Sequence, residues 1–377
     1  MKIQHICCNL AGSTVFPQLF EAIDAQGVAQ QVFVPERRAR DLCKNLPHNV
    51  PTQSALTVRA SDMLFFFRKA QRTVPYMCYE VDWRGVTLVH AHTLFTDGSI
   101  ARALCKRIHL PYIVTLRYSD LDVIWRYEPH LRPMGRAILR DAAGVVCLSE
   151  GARQRVREMC VPPKEREAFD RKTWVIPNGI DPAWLTGEPR KALAEPVRVG
   201  FAGLMNGRKR PLDALNAVHL ADESGLGRRF VLRACGRGAL EKRLAEKLRE
   251  GDCCVGRVQG MEAMKAFYAG CDVLLVPSKA ETFGMVYLEA MSQGVPVLYT
   301  RGQGFDGQFP EGEVGYSVKA GDVCDQADRL LAVCEGYAER SARCVAHAGE
   351  YAWPIVAGKW KALYEALEGN KPKNHEP

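Results

Sequence analysis

The fold class can be read from residues 271–293, which run CDVLLVPSKAETFGMVYLEAMSQ. Val273–Val276 has the pattern of a buried strand, and Pro277 ends it. After a short loop, apolar residues recur at helical spacing as far as Gly294, a residue type that often follows the end of a helix. A second apolar run follows at residues 295–299. This succession of strand, loop, helix and strand is typical of a parallel α/β sheet.

Two glutamates lie on either side of the junction between the loop and the helix. Glu281 is in the loop, and Glu289 follows eight residues later within the predicted helix. The backbone amides of residues 284–286 would lie between them and could bind an anion. Carboxylates accept hydrogen bonds from hydroxyls, and eight helical residues span about 12 Å. The pattern therefore predicts a ligand with hydroxyls on both sides of a diphosphate, as in a sugar nucleotide.

The same alternation of strands and helices extends over the whole chain, which predicts two doubly wound α/β domains. Residues 182–196 contain three prolines and a glycine without periodicity and are interpreted as the interdomain linker. We expect domains at residues 1–185 and 196–350, followed by a C-terminal helix over residues 351–369. The predicted strands are residues 3–8, 31–34, 88–90, 112–116, 145–148, 174–176, 198–202, 230–235, 255–258, 273–276 and 297–299.

Composition excludes several classes of protein. Of the 377 residues 47% are hydrophobic and 25% charged, which is ordinary for a soluble globular protein. No run of 18 uncharged apolar residues predicts a membrane span, and the first residues lack the pattern of a signal peptide. The 14 cysteines include no Cys-x-x-Cys pair, so they are expected to be buried thiols in a reducing cytoplasm rather than zinc ligands.

The net charge of +8 is concentrated in the first half of the chain, which carries roughly +6. No nucleic-acid-binding module is visible. Two explanations of the positive charge remain. One is a solvated basic face, and the other is contact with the inner face of an anionic membrane. Residues 64–72, LFFFRKAQR, combine phenylalanines with basic residues and are the candidate membrane segment. The alternative for this segment is a helix packed into the core.

Residues 281–297, ETFGMVYLEAMSQGVPV, follow Val-Pro-Ser and resemble the donor-site signature of retaining glycosyltransferase family 4. The resemblance implies the GT-B architecture, in which two Rossmann-like domains face each other across a cleft. It implies that Glu281 holds sugar hydroxyls and that Glu289 holds the ribose. Thr282, Phe283, Gly284 and Met285 would complete this part of the donor site.

The reaction implied by the resemblance is transfer of a sugar from a nucleotide-sugar donor to an acceptor hydroxyl, with retention at the anomeric carbon. It needs no enzymic nucleophile, because a phosphate oxygen of the donor takes the proton of the acceptor. We expect a UDP-sugar, with guanosine as the open alternative. The family also implies that the last helix crosses back onto the first domain.

Residues 199–211, VGFAGLMNGRKRP, resemble the strand and basic loop of the family. Lys209 falls on the family's lysine, which contacts the donor diphosphate. The family's arginine falls on Leu204, so Arg208 or Arg210 is expected to supply the missing charge. Gly236, in the sequence CGRG, resembles the family's turn beneath the nucleotide.

Three positions of the first half resemble the family's cleft residues. Gly12 lies in the sequence NLAGST, at the position of the glycine loop. His92 ends the sequence VHAH and is expected to face the cleft, whereas His90 is expected to point to the opposite face of the strand, so that the two share no metal. Arg117 replaces the family's histidine and is expected to approach the diphosphate from the domain opposite Lys209.

No metal site is expected, and the reaction is predicted to be independent of metal cofactors. Asp120 and Asp122 have the spacing of a metal-binding Asp-x-Asp motif, but that motif belongs to the other major glycosyltransferase fold. The glycine-containing loop of residues 302–307 could close over the donor or form a structural turn.

Many bacterial members of the family build surface polysaccharides, so the expected acceptor is a growing glycan or a lipid-linked molecule. Two alternatives remain open. One is a non-catalytic GT-B protein that binds a nucleotide or a partner glycosyltransferase. The other is a nucleotide-sugar epimerase or a sugar phosphorylase of the same fold.

Overall fold

The computed structural model describes residues 1–63, 66–224 and 227–369. The chain forms two compact units. The first comprises Met1–Gly179 and the C-terminal segment that begins at Trp353, and the second comprises Ile180–Ala352. Among the helices of the described residues, none is both long and apolar enough to cross a bilayer.

The first unit is built on a seven-stranded sheet in which every neighbouring pair is parallel. Its strands are β1 (Lys2–Ile6), β2 (Ala29–Pro35), β3 (Thr52–Ala55), β4 (Val86–Ala91), β5 (Tyr112–Thr115), β6 (Gly144–Cys147) and β7 (Thr173–Val175). The order across the sheet is β3-β2-β1-β4-β5-β6-β7. The chain moves outward from β1 in one direction and resumes on its other side at β4. The topological switch point, where open α/β sheets bind ligands, therefore lies between the carboxyl ends of β1 and β4.

Helices cover both faces of this sheet. They are α1 (Val15–Ala25), α2 (Phe66–Glu80), α3 (Gly98–Ile108), α4 (Arg132–Asp141), α5 (Glu150–Met159) and α6 (Arg166–Arg171). Neighbouring strand residues point to opposite faces and so belong to different cores. Val89 and Val145 pack in the core beneath α2–α6, whereas Leu88 and Val146 pack in the core that includes α1.

The second unit repeats this plan with a six-stranded parallel sheet. Its strands are β8 (Val197–Ala202), β9 (Phe230–Cys235), β10 (Cys253–Cys254), β11 (Val273–Leu275), β12 (Val297–Thr300) and β13 (Gly315–Val318), in the order β10-β9-β8-β11-β12-β13. The helices are α7 (Pro211–Glu223), α8 (Glu241–Ala245), α9 (Met261–Ala269), α10 (Met285–Met291), α11 (Val323–Cys334) and α12 (Tyr337–Gly349). By the same reasoning, the switch point lies between β8 and β11.

The last helix, α13 (Trp353–Gly369), belongs to the first unit and packs against α1. Trp360 and Tyr364 are fully buried in the core beneath these two helices. Trp353 packs so closely against Gly179 that a Cβ at that glycine would lie 2.4 Å from the indole ring. These contacts fix the C-terminal helix to the first unit.

The structure differs from the predicted elements at three strands. The edge strand β3 and the strand β13 were not predicted, and the strand expected at residues 255–258 is replaced by β10. β3 reads TQSA and β13 reads GYSV, so neither has the apolar run that signals a buried strand.

The candidate membrane segment is only partly exposed. Leu64 and Phe65 lie outside the described residues. Within α2, Phe67 and Arg68 are exposed, whereas Lys69 is buried. Lys69 fits the alternative of a helix packed into the core, because each turn of a helix that packs on a sheet directs some residues inward, and membrane contact stays a prediction.

Candidate functional site

At the switch point of the second unit, the loops that follow β8 and β11 are joined by an ion pair. Lys209 Nζ donates a hydrogen bond to Glu281 Oε2, and their side chains are only 12% and 13% exposed. The backbone also joins these loops, because the Lys279 amide donates to the Arg208 carbonyl at 2.7 Å. The structure thus brings together the two charged residues that sequence similarity implicated most strongly.

The side chain of Asn206 shapes the basic loop. Its Oδ1 accepts hydrogen bonds from the backbone amides of Arg208 and Lys209 at 3.1 and 3.0 Å. Arg210 forms an ion pair with Asp213 in the first turn of α7, so its charge is already compensated.

The missing arginine therefore has one candidate replacement in this loop. Arg208 is exposed and forms no ion pair with any residue in the described ranges, whereas Arg210 is paired. Leu204, at the position of the family's arginine, is 57% exposed and supplies no charge. Of the two cations considered from sequence, Arg208 is the one with an uncompensated charge beside Lys209.

Two glycines allow the loops after β8 and β9 to touch. Gly236 has a φ of 140°, and a Cβ there would lie 1.8 Å from the Gly203 carbonyl oxygen. Gly203 itself has a φ of 149°, and the side chain of Lys209 runs beside it. Gly236 is therefore required by packing within the protein, whether or not a ligand is bound.

The loop of residues 302–307 supports the loop that carries Glu281. The Glu281 amide donates to Gln303 Oε1 at 3.1 Å, and the Gly304 amide donates to the Glu281 carbonyl at 3.2 Å. A Cβ at Gly304 would lie 1.9 Å from the Thr282 carbonyl oxygen. These contacts favour the structural interpretation of this loop, since its backbone helps to hold Glu281 in place.

Glu289 lies on α10 and has a partner that sequence reasoning missed. Tyr268, a fully buried residue of α9, donates its hydroxyl to Glu289 Oε2 at 2.9 Å. Burial raises the pKa of Glu289, and the hydrogen bond from Tyr268 opposes that shift. Nothing in the sequence distinguishes Tyr268 from an ordinary core aromatic residue.

The remaining donor-site candidates divide into exposed and buried groups. Thr282 and Met285 are partly exposed, and Gly284 precedes α10 with a φ of 87°. The ring of Phe283 is buried against Phe305. The ring of Phe283 therefore belongs to the core, and donor binding at Phe283 stays a prediction.

In the first unit, His90 and His92 lie on the same face of the sheet. Their ring centroids are 4.0 Å apart. The expectation that they point to opposite faces is wrong, because alternate residues of a strand share a face. His92 is also fully buried between the rings of Phe16 and Phe20, so it does not face an open cleft.

Together with His5, these two histidines form a buried network. His5 Nδ1 lies 3.0 Å from His92 Nε2, and His90 bonds the hydroxyls of Tyr364 and Thr115 at 2.9 and 2.8 Å. The ligand nitrogens of the three rings lie within 4.8 Å of one another, a spacing that a metal ion could accept. Both nitrogens of His90 are already hydrogen bonded, however, so the arrangement fits a network of imidazoles. Metal independence stays a prediction.

Burial determines the protonation of this network. It lowers the pKa of His5 to about 3 and holds the pKa values of His90 and His92 well below 6.5. All three imidazoles are therefore neutral at pH 7.

Arg117 follows β5 and is held by three groups of the first unit. Its Nη1 donates to Asn178 Oδ1 at 3.0 Å, its Nε donates to the His92 carbonyl at 3.4 Å, and its guanidinium lies over the ring of Phe16. Burial lowers the pKa of Arg117 to about 10, so the side chain remains a cation at neutral pH.

The two aspartates of the Asp-x-Asp sequence have structural partners. Asp120 accepts hydrogen bonds from the backbone amides of Leu94, Phe95 and Arg117 at 2.8–3.2 Å, and burial raises its pKa to about 6. Asp122 forms an ion pair with Arg155. Their positions are explained by loop packing.

A second polar cluster at the β1/β4 switch point was not predicted. Lys69 Nζ lies 2.9 Å from Cys8 Sγ, and the Cys8 amide donates to Asp97 Oδ1 at 3.0 Å. Gly12, in the neighbouring loop, has open space where a Cβ would stand. Packing therefore does not require glycine at position 12, in contrast to position 236.

Comparison with known proteins agrees with this geometry. Residues 12–184 match the family described as Glycosyltransferase Family 4, and residues 189–350 match Glycosyl transferases group 1. A phosphatidyl-myo-inositol mannosyltransferase of Mycobacterium leprae is 32% identical over 316 residues, which cover 73% of this chain and 82% of that protein. The chain belongs to glycosyltransferase family 4. The family predicted from the signature of residues 281–297 is confirmed.

This chain covers a smaller share of a second relative. A D-inositol 3-phosphate glycosyltransferase of Geodermatophilus obscurus is 28% identical over 307 residues, which cover 74% of this chain and 66% of that protein. The chain thus spans just under two thirds of this relative.

Solved structures confirm the predicted GT-B fold class of two Rossmann-like α/β domains. A sucrose-phosphate synthase of Thermosynechococcus elongatus matches with a TM-score of 0.73 and 18% identity, covering 98% of this chain and 100% of that chain. HepE (Alr3699) of Anabaena, in complex with UDP and glucose, matches with a TM-score of 0.68 and 15% identity, covering 97% and 100%. At such identities, the likeness establishes the fold alone.

Gly236→Ala is expected to destabilise the second unit by about 2–4 kcal/mol, because the added Cβ overlaps the Gly203 carbonyl and the residue keeps a positive φ. Gly207→Ala is the matched control, since nothing lies within 4 Å of a Cβ there. Thermal unfolding followed by circular dichroism measures both variants. Equal melting temperatures for Gly236→Ala and wild type would contradict the packing described.

The second prediction concerns the pH dependence of stability. The lowered pKa of His92 means that the unfolded chain binds its proton more readily, so this contribution to stability is complete above pH 6.5 and is lost as the pH falls below it. His92→Gln removes the titration. The stability advantage of wild type over His92→Gln should therefore shrink by up to about 1.4 kcal/mol per pH unit below 6.5.

Urea unfolding followed by tryptophan fluorescence measures the stability of the first unit, which contains His92. Of the six tryptophans, only Trp184 lies in the second unit, so the fluorescence comes mainly from the first. Asp120, whose pKa is raised, has the opposite effect on the pH dependence of stability. Because Asp120 is present in both proteins, its effect cancels when the free energy of unfolding of His92→Gln is subtracted from that of wild type. A constant difference between pH 7.5 and pH 5 would show that His92 is not buried as a neutral group.

Proposed function

We propose that this protein transfers a glycosyl group from a nucleoside diphosphate sugar, with UDP as the first choice of nucleotide, to an acceptor hydroxyl with retention of anomeric configuration. The observation that carries the proposal is the contact between Lys209 and Glu281 at the β8/β11 switch point, with Glu289 on the helix that follows. Lys209 offers a cation to a diphosphate, and Glu281 and Glu289 offer carboxylates to hydroxyls. All three lie at the edge of the sheet where such folds bind ligands.

Lys209 acts on the leaving group. A departing nucleoside diphosphate gains negative charge in the transition state, and a fixed cation beside it stabilises that charge more than it stabilises the ground state. Arg208, exposed on the same loop, adds a second positive charge. These two residues take the role that a divalent cation has in other enzymes, so we propose that the reaction needs no metal.

Glu281 holds the sugar. In the structure its carboxylate is compensated by Lys209, which keeps a charged group from being buried without a partner. When the donor enters, Lys209 transfers its interaction to the diphosphate, and Glu281 accepts hydrogen bonds from sugar hydroxyls. In the retaining reaction a donor phosphate oxygen accepts the proton of the attacking hydroxyl.

Glu289 holds the ribose, and Tyr268 positions it. The hydrogen bond from Tyr268 occupies Oε2 and leaves Oε1 to accept from a ribose hydroxyl. Because Tyr268 is fully buried, it contacts the donor only through this carboxylate.

The acceptor side belongs to the first unit. Arg117 carries a charge at neutral pH and lies at the carboxyl edge of its sheet, so we propose that it binds a phosphate, either of the donor or of the acceptor. We propose a glycan or lipid-linked acceptor in surface glycan or glycolipid synthesis, used at the cytoplasmic side of the membrane. The name of the phosphatidyl-myo-inositol mannosyltransferase relative supports a lipid-linked acceptor, whereas the name of the D-inositol 3-phosphate glycosyltransferase relative supports an acceptor that carries a phosphate.

Glu289→Ala is expected to weaken UDP binding by about 10- to 100-fold, since a hydrogen bond to a charged group contributes about 1.5–3 kcal/mol. Tyr268→Phe should weaken UDP binding by a smaller factor, about fivefold, and leave turnover at saturating donor unchanged. Calorimetric titration gives the affinities. Glu262→Ala, an exposed acid on α9, is the control and should bind UDP like wild type. Unchanged affinity in Glu289→Ala would remove Glu289 from the donor site.

Catalysis is tested by sugar release or transfer from a panel of UDP- and GDP-sugars, with and without excess EDTA. We expect turnover in the presence of EDTA, and we expect Glu281→Ala to reduce turnover more than donor affinity. Binding of nucleotide without release or transfer for any donor would favour the non-catalytic alternative. Loss of activity in EDTA that magnesium or manganese restores would overturn metal independence.

A further inference from the structure

A cluster of charged side chains at the carboxyl ends of β1, β2 and β4 takes no part in the function proposed above. Lys69, on α2, is 4% exposed, and Asp97, which follows β4, is fully buried. Glu36 follows β2 directly and is 6% exposed. Charged side chains are rarely buried to this extent without partners, so their hydrogen bonds indicate what the cluster can bind.

Both carboxylate oxygens of Asp97 are bound within the protein. Its Oδ1 accepts a hydrogen bond from the Cys8 amide and its Oδ2 accepts one from the Thr93 hydroxyl, each at 3.0 Å. Asp97 therefore joins the loops that follow β1 and β4, and its charge partly compensates that of Lys69.

Lys69 and Glu36 have hydrogen-bonding capacity that the described part of the chain does not use. An ammonium group has three N–H donors, and within the described ranges Lys69 Nζ donates one bond, to Cys8 Sγ at 2.9 Å. Sulfur is a weak acceptor. Glu36 Oε1 is buried and has no hydrogen-bond partner among the same residues. The backbone holds Glu36 at this edge, because its amide donates to the Ala55 carbonyl at 2.8 Å and its carbonyl accepts from the Val58 amide at 3.1 Å.

The charges of the cluster restrict the charge of its ligand. Lys69 interacts electrostatically with both Glu36 and Asp97, so one positive group stands with two carboxylates. A phosphate would be repelled by the carboxylates, and an amine would be repelled by Lys69. A hydroxyl can both donate and accept, so neighbouring hydroxyls can donate to Glu36 and accept from Lys69 at the same time.

The cluster lies at the edge of the sheet where open α/β folds bind ligands. Cys8, which contacts Lys69, is partly exposed, and Gly12 in the neighbouring loop has open space where a Cβ would stand. We propose that Lys69 and Glu36 bind the hydroxyls of a neutral polyhydroxylated ring, a sugar or a cyclitol, in the acceptor of the transfer reaction. These two residues then select a hydroxylated acceptor, whereas Arg117 binds a phosphate.

This inference rests on the proposed function for the identification of the ring as part of the acceptor. Ring binding is measured without a donor, so the two proposals fail separately. Ring binding without sugar transfer from any donor would contradict the transferase and not the ring site. Transfer to an acceptor with the same KM in wild type and Glu36→Gln would contradict the ring site and not the transferase.

The test is a titration of the full chain with myo-inositol, D-glucose and D-mannose, one ring at a time, followed by saturation-transfer NMR. We expect wild type to bind at least one ring, and Glu36→Gln to weaken that binding about 10- to 100-fold, as for a lost hydrogen bond to a charged group. Glu80→Gln makes the same change at an exposed residue at the end of α2 and should bind like wild type.

Lys69→Met should also weaken ring binding, but it leaves two buried carboxylates without their cation and is expected to lower the melting temperature. Glu36→Gln keeps Lys69 and is therefore the primary variant, and circular dichroism measures the melting temperature of each protein.

Inorganic phosphate is the probe for the alternative ligand, an anion beside Lys69. Glu36→Gln removes a negative charge, so an anion at this site would bind more tightly, whereas a neutral ring binds more weakly. Failure of wild type to bind any of the three rings, equal ring affinities of Glu36→Gln and Glu80→Gln, or a gain in phosphate affinity without a loss of ring affinity in Glu36→Gln would each overturn the proposal.

Discussion

The ion pair between Lys209 and Glu281 constrains the functional end of the second unit. A largely buried charge is stable only beside its partner, so the loops that follow β8 and β11 must remain close together. The surrounding contacts permit that approach. Gly236 removes a Cβ that would collide with the Gly203 carbonyl, and Gly304 does the same at the Thr282 carbonyl. These contacts position a cation and a carboxylate side by side at the switch point of the second unit.

Both units use the same topology, but their switch points differ in chemistry. In the second unit, the point between β8 and β11 holds charged side chains that partly reach solvent. In the first unit, the ends of β1 and β4 carry neutral buried histidines, with Lys69 and Asp97 nearby. We proposed above that the second unit binds the charged donor and the first unit the acceptor, and this proposal rests in part on that difference. The difference also explains why His92 is better understood as part of a structural network than as a catalytic group.

The sequence predicted what local patterns encode and missed what depends on packing between distant elements. The strand-loop-helix pattern of residues 271–293 located β11, α10 and both glutamates, because apolar periodicity and a glycine are local signals. Tyr268 was missed, because its bond to Glu289 joins two helices and its residue type is common in cores. The short strands β3 and β13 were missed, because pairing with a neighbouring strand, rather than apolar content, defines them. The orientation of His90 and His92 was predicted wrongly from a pattern that in fact places them on one face.

The central claim is that the contact between Lys209 and Glu281 marks the site that binds the diphosphate of a nucleoside diphosphate. Calorimetric titration of UDP and of uridine into wild type and Lys209→Met tests it most directly, with Lys247→Met as an exposed control from the same unit. The account predicts that Lys209→Met weakens UDP binding by about 10- to 100-fold, as expected for a lost charged hydrogen bond, and leaves uridine binding unchanged. Equal affinities of Lys209→Met and Lys247→Met for UDP, or an equal loss for UDP and uridine, would contradict the assignment of Lys209 to the diphosphate.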